Sequence, residues 1–497
     1  MEWKLTKEPL ASLATDAIIV FHLQDRESTQ DYAREVDESL EYRISRLLSE
    51  GEISGRVGEV THLHNWGKIP SSRVIVTGLG KEDKVNLQKL KHAVAVAARR
   101  AQAIGVKQVG IGCPSYMLDR YNSIDVVQAI VEGVELGTYQ HHTYKTNNQK
   151  KNQLETVWLS VQSGSESVYE AGIERGRIFA QATNFARFLV HEPANYLTPE
   201  RLAQHAKQIA EKRGLSINIL AKEQLIELGM NGLLAVSQGS TEQPRMIVLS
   251  YVGAPDHQEV LGLVGKGITF DTGGLQIKPG SFMNHMHGDM AGAAAVLGAM
   301  DAIGALRPHC NVIAVIPACE NAVDGNSYRP GDVITTYSGK TVEIHHTDAE
   351  GRIVLADGIS YAKRLGATKL INVATLTGAV VVALGHEVTG LMTNNDEWAN
   401  AVKTAARIAG EPVWELPMFE EYEEYVKSEI ADVINEAGAP AGSIQGGMFL
   451  KQFAEETPWV HLDIAGTARV KSEKGIHPKG ATGVSVRTLI QLAIRFA

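Results

Sequence analysis

Apolar runs of strand length recur along the whole chain and alternate with stretches of helical periodicity. In the first part the runs are Ala17 to Leu23, Arg73 to Thr77, Gln108 to Gly112 and Glu155 to Val161. Helical patterns fall between them, near Asp31 to Leu48, Leu87 to Ala103 and Ile124 to Leu136. Further runs follow at Met246 to Val252, Val260 to Val264, Asn311 to Ile316, Leu370 to Ala374 and Trp459 to Ile464. Such alternation predicts α/β architecture, sheets covered by helices. With 497 residues the chain is long enough for two domains. The polar stretches His141 to Gln153 and Gly164 to Ser167 mark the end of the first. The expected layout is a smaller domain over 1–163, a linking helix within 164–190, and a larger domain over 191–497 with a central mixed sheet.

The chemistry concentrates where such runs end. In His346-Thr347-Asp348-Ala349-Glu350-Gly351-Arg352, two carboxylates stand two residues apart ahead of a helix-like run from Ile353 to Leu365. Alternate residues of an extended segment point the same way, so Asp348 and Glu350 can converge. Two converging carboxylates repel unless one takes a proton or a cation joins them. Arg352 can hold a planar anion in its fork. Upstream, Val264 to Gly274 (VGKGITFDTGG) follows an apolar run and carries Lys266 and Asp271, with Lys278 seven residues on. Asp289 precedes a small-residue helical stretch, Ala291 to Ala305, where a carboxylate is a favourable cap. Taken singly, Lys266 reads as a surface lysine in a glycine loop, Asp289 as a helix cap, and the Asp348–Arg352 string as a solvated ion pair.

Together these segments closely resemble the leucyl aminopeptidase (cytosol aminopeptidase) family of dinuclear-metal peptidases. The matching strings are Val264 to Gly274, Ile277-Lys278-Pro279, Asp289 to Val296, Thr347 to Asp357, Asn372 to Gly378 and His461 to Gly466, with Asn195 to Pro199 further upstream. The resemblance is strong over roughly 165–497 and weaker before it. It implies two divalent ions per subunit, manganese or zinc with magnesium or cobalt as alternatives, held by Lys266, Asp271, Asp289, Asp348 and Glu350. Asp271 and Glu350 would bridge the ions. Lys278 would stabilise the oxyanion, and Arg352 would hold a bicarbonate that carries the proton. The substrate's free α-amine would lie near Asp289, and its first side chain near Met286, Thr375, Gly378 and Ala465. A lysine binds metal only as a neutral amine, which leads to an expected preference for alkaline pH. The resemblance also implies a macro-like first domain, peptide substrates and a homohexamer.

Three positions depart from the family's usual residues. His346, preceded by His345, stands where asparagine is common; His287 replaces a basic residue; Thr272 replaces a serine. The histidines invite a reading as extra zinc ligands, against a hydrogen-bonding role for His346 and an outward-pointing His345. Besides the aminopeptidase, two readings stay open: another reaction on the same site, such as a narrow dipeptidase or a phosphoester hydrolase, or a binding or regulatory protein keeping the fold.

Composition narrows the remaining classes. A net charge of −9 argues against a general nucleic-acid or anionic-membrane surface. The three cysteines, Cys113, Cys310 and Cys319, sit at unrelated spacings that make neither a disulfide framework nor a zinc knuckle, and Cys310 and Cys319 are expected as buried thiols. Met1 to Leu10 is too polar for a signal peptide, and no apolar run is seen to approach the ~20 residues of a membrane span. The expected compartment is the cytoplasm.

Overall fold

The computed structural model describes the whole chain except residues 66, 142, 147–151, 162–164, 439 and 497. The expected domain end within 141–153 and 164–167 therefore lies partly outside the described residues. The chain divides into two compact units. One comprises Met1–Gln181 with Lys471–Gly480, the other Ala182–Val470 with Ala481–Ala497.

The first unit is built on six strands: β1 (Glu2–Thr6), β2 (Ala17–His22), β3 (Val60–His64), β4 (Arg73–Gly78), β5 (Gln108–Gly112) and β6 (Thr156–Ser160). Their order is β1-β6-β5-β2-β4-β3, parallel except for the β3–β4 pair. Both faces of β2 are buried, so its alternate residues feed two cores. Ile19 and Phe21 pack with α3 (Leu87–Ala103) and α4 (Ser123–Gly137), while Ile18 and Val20 pack with α1 (Asp31–Ser39) and α2 (Arg43–Ser49). The single helix expected over Asp31 to Leu48 is thus two helices. The break falls at Glu41 and Tyr42, whose φ angles of 58° and 63° are left-handed and cannot continue a helix. Helix α5 (Glu166–His191) follows, and the division between units falls within it.

The second unit holds a mixed sheet of nine strands: β7 (Ser216–Leu220), β8 (Arg245–Val252), β9 (Val260–Gly265), β10 (Gly267–Asp271), β11 (Asn311–Asn321), β12 (Lys369–Ala374), β13 (Thr389–Thr393), β14 (Val413–Glu415) and β15 (Trp459–Asp463). The order is β14-β13-β15-β12-β9-β11-β8-β7, with β10 pairing β11. The central strands β15, β12, β9 and β11 are parallel, and β13, β8 and β7 are antiparallel additions. Helix α6 (Ala291–Leu306) lies against β12 so closely that a Cβ on Gly292 would stand 2.0 Å from the Val373 carbonyl oxygen. Only glycine tolerates that approach.

The segment 286–306 also corrects the reading that no apolar run nears spanning length. It has the length and composition of a span, but 89% of its most apolar 18-residue stretch is buried inside the protein. That is the character of a core helix rather than of one facing lipid. All three cysteines are free and buried, as expected for Cys310 and Cys319.

Candidate metal centre

Several residues of the site come from the carboxyl end of a strand or the residue just beyond it. Lys266 follows β9 and Asp271 ends β10; Asn321 ends β11, Thr375 follows β12 and Asp463 ends β15. Open α/β sheets place ligand sites at this edge. Lys266 is fixed first through its backbone: its N–H donates to Val373 O at 3.1 Å, and its carbonyl accepts from Ala293 N at 2.9 Å.

The side chains then converge. Lys266 Nζ lies 2.8 Å from Asp289 Oδ2 and 2.7 Å from Glu350 Oε1, and donates to Thr375 O at 3.0 Å. Lys278 Nζ lies 2.8 Å from Asp271 Oδ2 and also pairs with Asp348. Ligand atoms of Asp271, Asp348 and Glu350 all fall within 4.8 Å of one another, the arrangement that can hold a metal ion. Lys266, Asp271 and Glu350 are 3%, 2% and 1% exposed, so these charges meet with almost no water to screen them.

Two expectations of local geometry need correction. Asp348 and Glu350 do not converge as alternate residues of an extended segment. Residues 347–348 form a turn, and Glu350 opens helix α7 (Glu350–Arg364). The turn brings both carboxylates to the same point. Nor does Asp289 cap α6, whose N-terminus shows no side-chain cap. Its carboxylate goes instead to Lys266 and to Thr375, whose hydroxyl donates to Asp289 Oδ1 at 2.5 Å.

The charge balance shows what this cluster can hold. Burial first, then Glu350 and Asp271, push Asp348 up to about 7. Burial, with Asp271 and Glu350 nearby and against the pull of Lys266, pushes Asp289 up to about 8. Glu350 is likewise raised by burial and by Asp271. Burial alone would lower both lysines, but the carboxylates outweigh it and raise them. Four carboxylates thus face two ammonium groups, and Glu350 Oε2 is buried without a hydrogen-bond partner. Hard oxygen donors in excess, one of them orphaned, fit divalent cations.

Arg352 sits on the first turn of α7, buried, with Nη1 donating to Asn435 O at 2.6 Å and Nε unpartnered. Burial lowers its pKa against Glu436, Glu350 and Asp463. Of the proposed pocket residues, Met286, Thr375 and Ala465 are half-buried, and Gly378 is exposed with open space where a Cβ would stand. His346 Nδ1 accepts the Asp348 N–H at 3.1 Å, shaping the turn, while His345 Nε2 lies 3.0 Å from Glu343 on a side chain 43% exposed. His287 is pushed down to about 4 by burial, Arg469 and His285.

Sequence reasoning missed the groups that hold the candidate ligands. Asn321 Nδ2 donates to Asp271 Oδ1 at 2.9 Å and to Thr347 O at 3.0 Å. Tyr328 OH donates to the same carbonyl at 2.5 Å. Gln276 Oε1 accepts the Thr347 N–H at 2.7 Å. Asp463 accepts from Leu376 N at 3.1 Å and from the Thr377 hydroxyl at 2.7 Å, fixing the loop that contains Thr375. An asparagine or aspartate ending an otherwise apolar strand was the available signal.

Residues 184–490 match the cytosol aminopeptidase family, catalytic domain, and residues 17–148 its N-terminal domain. The chain belongs to the cytosol aminopeptidase family. It is 46% identical over 496 residues to a probable cytosol aminopeptidase of Alkaliphilus metalliredigens (strain QYMF), covering 99% of each. It is 43% identical to a second, from Alkaliphilus oremlandii (strain OhILAs), again over 99% of each. Among solved structures it resembles a mutant of tomato leucine aminopeptidase, with a TM-score of 0.89 and 34% identity over 100% of this chain and 96% of that one. It also resembles a bottromycin maturation enzyme in complex with Mn, with a TM-score of 0.85 and 32% identity over 97% and 100%. Family membership makes the chain a metal-dependent aminopeptidase, a hydrolase of peptides.

Proposed function

We propose that Lys266, Asp271, Asp289, Asp348 and Glu350 hold two divalent metal ions, with Lys278 and Arg352 acting beside them to release N-terminal residues from peptides. The observation that carries this reading is the buried excess of carboxylate over ammonium, with Glu350 Oε2 left unpartnered. When bound, the ions would polarise the scissile carbonyl and lower the pKa of water. Asp289 receives the substrate's free α-amine, which makes the enzyme an exopeptidase. Lys278 stays protonated among its carboxylates and faces the negative charge that develops on the carbonyl oxygen. Arg352 would hold a planar anion such as bicarbonate, which when bound would supply a base for the proton. Met286, Thr375, Gly378 and Ala465 surround the first side chain. A methylene is worth only ~1–3 kcal/mol in such a pocket, so specificity is broad around leucine-like residues. Manganese or zinc are the expected ions, with a homohexamer in the cytoplasm as the expected setting.

The test is hydrolysis of leucine amide by chelated protein, with manganese, zinc, cobalt and magnesium restored singly and in pairs. Activity that returns with metal and is absent from Asp271→Ala and Glu350→Ala supports the assignment. Metal-restored activity that survives both substitutions refutes it.

A further inference from the structure

Asn435 is fully buried and lies far in sequence from every residue assigned above. The short strand Val433–Ile434 pairs in parallel with Thr341–Glu343, in the register Val342 to Val433 and Glu343 to Ile434. Asn435 N–H extends that pairing by donating to Glu343 O at 3.1 Å. The ladder thereby delivers the Asn435 amide beside residues 345–349, the segment that leads into Asp348 and Glu350.

There the amide is fully used. Its Oδ1 accepts the His345 N–H at 2.7 Å and the His346 N–H at 3.1 Å. Its Nδ2 donates to His346 O at 2.6 Å and to Ala349 O at 3.4 Å. A primary amide offers two donors and two lone pairs, and all four meet this one stretch of backbone. The residue's own carbonyl accepts Arg352 Nη1 at 2.6 Å. One residue therefore grips the carboxylate turn with its side chain and the arginine with its backbone.

We propose that Asn435 is a positioning residue that sets the carboxylate turn and Arg352 in register with each other. This rests on the reading of the site as a metal-peptidase centre. Nδ2 faces the carbonyls at 346 and 349 while Oδ1 faces the N–H groups at 345 and 346, and an amide carries both the donor and the acceptor. In Asn435→Asp, an oxygen faces the two carbonyls. In Asn435→Ala, the 345 and 346 N–H groups lose the acceptor Oδ1, and the 346 carbonyl keeps only the Ala349 N–H at 3.2 Å. Outer-shell partners of this kind are worth roughly 10–100-fold in metal affinity.

The experiment is calorimetric titration of the chelated full-length protein with Mn2+, alongside thermal melting, for the parent chain, N435A, N435D and a control, D432A. Asp432 accepts the Thr341 N–H at 2.8 Å and the Thr341 hydroxyl at 3.0 Å, so D432A weakens the same strand pair without touching the turn. The expected result is Mn2+ binding weakened by roughly 10–100-fold in N435A and N435D. Both variants should also lower kcat on leucine amide at saturating Mn2+ with little change in KM. D432A should melt earlier and bind Mn2+ as the parent does. If N435A fails to fold, N435D decides, because it is isosteric and keeps Oδ1. Parent-like Mn2+ affinity in folded N435D overturns the positioning role alone. A parent chain that binds no Mn2+ overturns the functional reading as well.

Discussion

Gly351 stands directly over the lysine at the centre of the site. A Cβ built there would lie 2.7 Å from both Cε and Nζ of Lys266. Helix propensity favours Gly351→Ala by up to ~1 kcal/mol, because the position is helical. The methyl group nevertheless needs the volume that Lys266 fills between Asp289 and Glu350. The expected outcome is a protein that melts lower, because overpacking at ~1–3 kcal/mol outweighs the propensity gain, and whose Mn2+ affinity falls at least about tenfold. Parallel melting and metal titration check both halves. Thr375→Val removes the hydroxyl that holds Asp289 at nearly constant volume. It should weaken Mn2+ binding by roughly tenfold, read by the same titration. Lys278→Met should lower kcat by about 10²–10³ with KM little changed, since its charge opposes one that exists only as the carbonyl reacts. At this scale the convergence of Lys266, Asp271, Asp348 and Glu350 was legible because they lie in short strings dense in chemistry. Asn321, Tyr328 and Asn435 were not, because each is an isolated polar residue brought in by the fold from a distant segment.

Among the elements, helix α7 and the β12–β15 pair govern how the site is held. Asp357, buried on α7, accepts the Tyr337 N–H at 2.8 Å and the Leu233 N–H at 2.9 Å, one on each oxygen. In Asp357→Asn one of these oxygens becomes a donor facing a donor. Unfolding in urea should show a loss of about 1–3 kcal/mol. In the sheet, Asn372 of β12 stands in register with His461 of β15 and lies 2.7 Å from its Nδ1 through Nδ2. Burial, with Arg352 nearby, pushes His461 down to about 3, so the folded protein holds it neutral. Its folded pKa is below the unfolded value of 6.5, so between those limits the unfolded chain binds more protons. The stabilisation is therefore complete above pH 6.5 and is lost as pH falls toward 3. One pKa unit is worth ~1.4 kcal/mol, so the loss between pH 6.5 and 5 is about 2 kcal/mol. Urea midpoints at the two pH values should differ less in His461→Gln than in the parent chain. The central strands were legible in the sequence because burial on both faces leaves near-continuous apolar runs. Strands β1, β3, β7 and β14 are short, or half-exposed, edge or near-edge strands and carry no such signal.

Over the whole molecule, every residue assigned to the metal centre falls in the second unit, between residues 266 and 465. The first unit has a core of its own, in which Lys91 and Glu132 form a buried ion pair at 2.5 Å. Its expected contribution is to assembly. If the chain assembles as the proposed homohexamer, removal of residues 1–150 should yield smaller species, checked by size-exclusion chromatography with light scattering. A truncated chain that still sizes as the parent does would place the assembly contacts in the second unit. The two-part α/β plan could be read from the alternation of runs and from the family strings. The return of Lys471–Gly480 to the first unit could not, because that stretch has neither periodicity nor an apolar run.

That return fixes an order of events during synthesis. Arg99 Nη2 donates to Gly475 O at 2.7 Å, and the ring of His92 lies against Gly475. At ~5–20 residues per second, the ribosome delivers residue 480 roughly 15–60 s after residue 181. Through that interval the first unit stands with a gap where its last peptide belongs. A chain that stops short of residue 471 never closes it, however well its metal centre has formed.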